Sequence, residues 1–435
     1  MTEESNTELQ AQQQTRKKAK KVKSQTQRTE RLQCEFLLPK KNKKCPLTRK
    51  ATEQYCAEHL RVNSATQKKL PCPVKGCKHE IWESELKNHV KVCEIKQRKL
   101  ESVPWFKENY NCDNGFKSQI SDADVDLDYA KWIKLVEDIY GSKFNGEDLP
   151  LVQLDHEGTK DRMDELTNQK HIIQQSSLIS HLDTRGLLSS DLNYIEFGCG
   201  RAELSRYFLK CIMFKDAKPS DFLLIDRSPS RLKLDSKMVK DVQLQSDLKQ
   251  ENRQNKVHRV KIDIKDLYID NIITEQFQSK KFVAISKHLC GAATDLTLQC
   301  LLNSKQLNEG QRFGGMIVAM CCRHCCDYTM LHSLSREYLS DLGIDETGFK
   351  HLKKFASWAV NGRRPGMLDT DGADHASGLC LKDREVLGLK ARRIIDESRK
   401  FALESSELGV EVELCKYVSS DISLENTALI VTRKV

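Results

Sequence analysis

The chain has 435 residues, 39% hydrophobic and 31% charged, with a formal net charge of +9. No stretch approaches the roughly 18–20 apolar residues of a membrane-spanning helix, and the polar start MTEESNTELQ lacks the apolar core of a secretory signal. Seventeen cysteines in such a chain point to metal ligands or reduced thiols rather than to a disulfide scaffold.

Taken in order, residues 1–30 are rich in Gln, Thr, Glu and Lys, with almost no large apolar side chains, so a disordered basic tail is expected. Its run Arg16-Lys-Lys-Ala-Lys-Lys-Val-Lys23 is a candidate phosphate-binding or nuclear-import patch, giving a cytoplasmic or nuclear expectation. The first hundred residues hold 24 Lys/Arg against 11 Asp/Glu, and the remainder 47 against 51. A basic front on a near-neutral body fits nucleic-acid docking through the front, although a solubilising tail would look the same.

Residues 31–62 carry Cys34-x10-Cys45-x10-Cys56-x2-His59, four donors that can close a tetrahedral zinc shell. Residues 69–96 carry Cys72, Cys77, His79, His89 and Cys93. A helix predicted over 82–92 puts His89 and Cys93 on one face at i and i+4. Five donors compete there for four places. The favoured set is Cys72, His79, His89 and Cys93, with Cys77 as the alternate for His79 or Cys72. So few apolar residues surround these clusters that metal binding would supply much of the folding free energy.

Residues 97–185 read as a connector with helices predicted over 129–140 and 170–182. Trp105, Phe106, Tyr110 and Phe116 are candidates to dock on the main domain, and 122–128 is an acidic loop. From 186 to 435 strands alternate with helices, which predicts an α/β domain with a mostly parallel sheet. The strands expected are 193–197, 222–226, 257–263, 281–286 and 315–320. An irregular insertion over 327–380, a long helix over 383–406 and an edge hairpin of 410–418 with 427–433 complete the domain.

The first of these strands ends in Glu196-Phe-Gly198-Cys-Gly200. Strand, Gly-x-Gly turn and helix start make a nucleotide-binding crevice. A dinucleotide site wants a third glycine, and Glu203 stands there instead. S-adenosylmethionine fits better. Gly198 and Gly200 let the methionine part approach the backbone, Asp226 can accept both ribose hydroxyls, and Asp263 can accept from the adenine amine. Glu196 can orient the turn. The expected class is therefore a Rossmann-like, class I methyltransferase domain behind two small zinc modules.

The fourth strand is followed by Ser286-Lys-His-Leu-Cys290, not the Asn-Pro-Pro-Tyr type of sequence used to methylate base amines. Cys290, Cys321 and Cys322 are positioned for a cytosine-C5 nucleophile, but none has the usual flanking proline. A ribose 2′-hydroxyl needs mainly alignment and a base, and in A-form RNA it is reachable in the wide minor groove. Lys287 and His288 are the candidates to take or orient that proton. Cys321-Cys-Arg-His-Cys-Cys326 reads as lining of the acceptor pocket. A non-catalytic zinc-finger RNA-binding protein is the remaining alternative, against which the intact Glu-x-Gly-x-Gly and Asp226 argue.

The two Cys/His clusters, Glu-Phe-Gly-Cys-Gly, Lys287-His-Leu-Cys-Gly-Ala-Ala-Thr-Asp-Leu296 and Cys321-Cys-Arg-His-Cys325 together resemble one family over residues 34–435. It is the eukaryotic tRNA 2′-O-methyltransferases that modify nucleotide 4 of the acceptor stem. The resemblance implies S-adenosylmethionine and zinc as cofactors and the tRNA acceptor stem as partner. The second cluster is similar to CHHC zinc fingers, which by itself implies RNA binding. It departs from their Cys-x5-His spacing, with Cys72-x6-His79 and Cys77 inserted.

Overall fold

A computed structural model describes residues 32–38, 43–63, 68–75, 77, 79–113, 128–244, 255–277, 280–361, 367–372 and 375–434. The basic tail, Phe116 and the acidic stretch 122–127 lie outside the described residues. The chain divides into two units, residues 1–99 and 100–435, so the connector expected at 97–185 belongs almost wholly with the sheet.

The first unit has too few apolar residues for an ordinary core. Its buried cluster is Cys34, Cys45 and Cys56, with Phe36 and Tyr55 against them. Around these run β1 (Leu37–Leu38), β2 (Lys43–Lys44) and α1 (Ala57–Asn63). A second hairpin, β3 (Lys69–Pro71) with β4 (Glu80–Trp82), leads into α2 (Glu83–Glu101). No residue of α2 is fully buried, so packing alone does not explain its position.

The second unit is organised by a seven-stranded sheet. Its strands are β5 (Asn193–Phe197), β6 (Phe222–Asp226), β7 (Val257–Lys261), β8 (Phe282–Cys290), β9 (Phe313–Cys321), β10 (Val410–Lys416) and β11 (Thr427–Arg433). The order across the sheet is β10-β11-β9-β8-β5-β6-β7, with β11 antiparallel to both neighbours and the central pairs parallel. The central strands are mostly apolar because both faces are covered, with Asn193, Glu196 and Ser286 as buried polar exceptions. Ile195, Phe197, Leu223, Ile225, Ala284, Met316 and Val318 face one core, shared with α8 (Ile269–Gln276) and α9 (Ala292–Asn303). Tyr194, Phe222, Leu224, Val283, Ile285 and Ile317 face the other, with α5 (Lys170–Asp183), α6 (Glu203–Asp216) and α7 (Asp235–Leu244). Connectors run opposite ways from β5 and β8, which opens a crevice at the C-terminal ends of those strands.

Three of the four docking aromatics are described. Trp105 and Phe106 pack on the first core, Phe106 bridges to Leu267, and Tyr110 meets Tyr268 edge-on at 5.0 Å. The insertion over 327–380 is not irregular as expected. It holds α10 (Ser333–Asp341) and α11 (Glu346–Asn361), which pack with α3 (Tyr129–Phe144) and α12 (Leu381–Glu404) into a third core. Phe349, Leu352, Phe355 and Ala356 supply the helical apolar face. Gly348 interrupts that pattern to the eye, but it is where the Trp132 ring lies: a Cβ there would come within 2.4 Å of it.

Candidate active site and metal centres

The turn after β5 takes three left-handed backbone positions, Gly198 (φ 65°), Gly200 (φ 47°) and Ala202 (φ 63°). Glycine removes the Cβ penalty at two of them. Among the described residues, its chain neighbours aside, no heavy atom lies within 4 Å of a Cβ built on Gly200, so the backbone is open on that side. The turn is held from below and from the side. Buried Glu196 accepts the Ser205 N–H at 3.2 Å and the Ser205 hydroxyl at 2.5 Å. Burial pushes its carboxyl up to about 7, even though the Ser205 bonds pull it down.

Asp226, at the end of β6, turns back to the same turn. Its Oδ2 accepts the Gly200 N–H at 2.8 Å and its Oδ1 the Ser228 N–H at 2.7 Å. Asp263 lies just past β7 and accepts the Lys265 N–H at 3.2 Å. Glu196, Gly198, Gly200 and Asp226 are thus gathered at one edge of the crevice, with Asp263 two strands from β5. Arg259 on β7 completes the support and was not picked out from sequence. It donates to the Gly200 carbonyl and the Cys199 sulfur at 2.9 Å each, and pairs with Asp235 at 2.7 Å through two nitrogens. The only signal was a lone arginine in an otherwise ordinary strand.

β8 runs four residues beyond its expected end because a bulge carries it on. Lys287 pairs with Ala319 and Leu289 with Met320, leaving His288 without a register partner. His288 sits at φ 62°, a sterically disfavoured position for a residue with a side chain. Bulges and strained residues of this kind cluster at functional sites. Leu289 reaches the glycine turn: its Cδ1 would lie 3.1 Å from a Cβ on Gly198. Lys287 is half-buried, and its Nζ lies 3.1 Å from His171 Nδ1 and 3.4 Å from the His171 carbonyl. Burial brings the lysine down to about 8, with Glu203 and Glu196 acting the other way. His171 was also not foreseen, since nothing in the sequence links positions 116 residues apart.

The cysteine-rich stretch after β9 divides. Cys326 is buried and accepts from Arg399 at 2.9 Å, so it does not line a pocket. Arg323 is fully buried and pairs with Asp396 and Glu425, while Arg399 clamps Asp295 through bonds of 2.8 and 2.9 Å. Cys321 and Cys322 instead approach Cys290. Hydrogen bonds from Cys321 and Cys322 lower the Cys290 thiol to about 6.

In the first unit, donor atoms of Cys34, Cys45, Cys56 and His59 all lie within 4.8 Å of one another. His59 Nδ1 is 3.4 Å from both Cys34 and Cys56 sulfur. Phe36 stacks flat on the His59 ring, with centroids 3.9 Å apart. Backbone N–H groups of Cys56 and Leu47 donate to the Cys34 and Cys45 sulfurs. Burial raises the Cys34 thiol, but backbone donors and His59 outweigh it and bring it to about 6. These are the features of a thiolate cage for a tetrahedral metal.

The second cluster differs from the favoured set. The donors that converge within 4.8 Å are Cys72, Cys77, His89 and Cys93. His79 stands beside them, Nδ1 at 3.2 Å from Cys77 sulfur. The reason is the hairpin. Cys72 N–H donates to the His79 carbonyl across it, and the turn between them folds Cys77 back toward the helix pair, 3.4 Å from His89 Nε2 and 3.5 Å from Cys93 sulfur. His89 and Cys93 do meet at i and i+4, at 3.0 Å.

Comparison with known proteins agrees with both parts of this picture. The family described as "Methyltransferase TRM13" matches residues 173–432, and the "CCCH zinc finger in TRM13 protein" matches residues 32–60. A Debaryomyces hansenii protein named tRNA:m(4)X modification enzyme TRM13 is 41% identical over 426 residues, covering 92% of this chain and 91% of its own length. Proteins of the same name from Saccharomyces cerevisiae and Schizosaccharomyces pombe are 36% and 38% identical, covering 93% and 85% of this chain and 97% and 96% of their own lengths. A glycine-turn crevice on a parallel sheet, a cysteine-histidine front and matches across nearly the whole length lead to one conclusion: the chain belongs to the TRM13 methyltransferase family.

Proposed function

We propose that the protein is an S-adenosylmethionine-dependent tRNA methyltransferase that modifies the ribose 2′-hydroxyl of nucleotide 4 in the acceptor stem. The observation that carries the reading is the juxtaposition of the glycine turn, tied to Asp226, with Lys287 on the adjoining bulged strand. The relatives' name, a tRNA:m(4)X modification enzyme, supports tRNA as the substrate. The strand order, with β11 reversed beside β9, supports a class I, Rossmann-like sheet.

The residues present fit the cofactor. The open backbone at Gly200 suits the methionine part, Asp226 keeps lone pairs for ribose hydroxyls, and Asp263 stands at the next strand end for adenine. When bound, S-adenosylmethionine supplies an electrophilic methyl group. Lys287, lowered to about 8 by burial, has a neutral fraction near neutral pH and can take the hydroxyl proton, while His171 holds its Nζ in place. The Cys34 and Cys72 clusters hold zinc, and with the basic segment around them they grip RNA phosphates.

The test is to incubate the protein with labelled cofactor and tRNA and map the product nucleotide. Methyl on the 2′-oxygen of nucleotide 4 is expected. Methyl on a base, or elsewhere in the tRNA, overturns the reading.

A further inference from the structure

Cys290, Cys321 and Cys322 form a third sulfur cluster, separate from the two in the first unit. We propose that it binds zinc through three thiolates, with a fourth, exchangeable position on the solvent side.

Cys290 and Cys321 are register partners at the ends of the parallel strands β8 and β9, and their sulfurs lie 3.0 Å apart. Cys322 joins them only because its backbone turns left-handed, at φ 50°. That strain has a visible source of support. The Cys322 N–H donates to Glu425 Oε1 at 3.0 Å, and Glu425 is itself held by Arg323 and Arg392. The buried ion network therefore fixes the third sulfur. On the other side, Gly291 closes the β8–α9 turn so tightly that a Cβ would meet the Cys325 carbonyl at 2.6 Å. Both strand ends are thus locked with their sulfurs facing one point.

The three sulfurs lie within 4.8 Å of one another. Tetrahedral zinc with bonds of about 2.3 Å needs sulfurs about 3.8 Å apart, so the cluster reaches that geometry by side-chain shifts under an ångström. Thiolates select zinc over magnesium or calcium, whose preferred ligands are oxygens. Glu425 does not join the three sulfurs as a convergent donor; its carboxylate is turned to the Cys322 N–H, Arg323 and Arg392. Cys290 is exposed, whereas Cys321 is buried. The remaining position therefore opens outward past Cys290, as in three-ligand zinc sites that keep one place for water or substrate.

The experiment compares zinc content per full-length chain, purified under reducing conditions, for the wild type and for Cys290→Ser and Cys322→Ser. The expected result is one zinc ion fewer per chain in each variant. Cobalt substitution should give a sulfur-to-metal absorption component that Cys290→Ser removes. Cys290 is exposed, so its serine variant should keep the wild-type fold by circular dichroism, melting lower only by what the lost zinc contributed, and remain informative if Cys322→Ser does not fold. Equal zinc in the wild type and Cys290→Ser overturns the proposal. So does a Cys290–Cys321 disulfide, seen as a loss of two hydrogens in the mass of the linked peptides.

Discussion

Asp226 holds the turn it faces: one carboxylate oxygen accepts the Gly200 N–H at 2.8 Å, and the other the Ser228 N–H at 2.7 Å. Asp226→Ala removes a charge-assisted bond of about 1.5–3 kcal/mol to that backbone, together with the acceptor proposed for the ribose. Affinity for S-adenosylmethionine should fall by about 10- to 100-fold in calorimetry. Unchanged binding would remove Asp226 from the site.

Lys287 predicts two pH dependences of different origin. Burial lowers its folded-state value from 10.5 to about 8, so between these limits the unfolded chain holds the proton more tightly. Its contribution to stability is present above about 10.5 and is lost as pH falls through about 8. In the proposed mechanism the neutral amine is the active form, so kcat/KM should climb through about pH 8 and then level. Lys287→Arg keeps the charge, should lose that limb, and should lower kcat by about 10²–10⁴-fold. A pH–rate profile on tRNA tests both.

Glu196 behaves in the opposite sense. Its carboxyl is raised from 4.5 to about 7 by burial, so the folded state binds the proton more tightly. The stability it contributes is full below pH 4.5 and is lost as pH rises through about 7. Glu196→Gln, which can still accept from Ser205, should flatten the stability profile over that window. Denaturant midpoints at pH 5 and pH 7.5 would show it.

Asp295 lies in the Lys287–Leu296 stretch that carries the family resemblance, yet its carboxylate is spent on Arg399, both residues being almost fully buried. Asp295→Ala removes both of its bonds to the Arg399 guanidinium and leaves that buried cation, among carboxylates, only the longer contact to Asp396 at 3.3 Å. The expected loss is about 3–5 kcal/mol of unfolding free energy, read by chemical denaturation.

Removing metal from the first unit should unfold it while leaving the sheet intact. Cys45→Ser takes away one of the three buried sulfurs at the centre of the first cluster. tRNA binding should weaken and lose part of its salt dependence, and S-adenosylmethionine binding should not change. Filter binding at two salt concentrations and calorimetry separate these outcomes.

The sheet was legible because its central strands are buried on both faces, so they read as short, mostly apolar runs such as Phe222–Asp226 and 282–286. The first metal cluster was legible because its spacing is regular. The second was only half legible: spacing counts residues, and it does not say which way a hairpin turn throws Cys77 or His79. α11 was hidden because Gly348 and several lysines dilute its apolar face. Arg259, His171 and the Arg399–Asp295 clamp were hidden because each acts across a long gap in sequence, where no local pattern exists.

The position of β11 has a consequence for biosynthesis. β10 joins the sheet only through β11, and β11 is made later. On the ribosome, β9 must wait with one edge unpaired, and β10 with only its bridge to Leu151, until residues 427–433 have emerged. Unpaired edges are templates for aggregation. The nascent chain therefore carries its most adhesive surface for as long as the last strand takes to arrive. A premature stop before Thr427 would leave that surface permanently exposed, and the product would be expected in chaperone-bound or insoluble fractions.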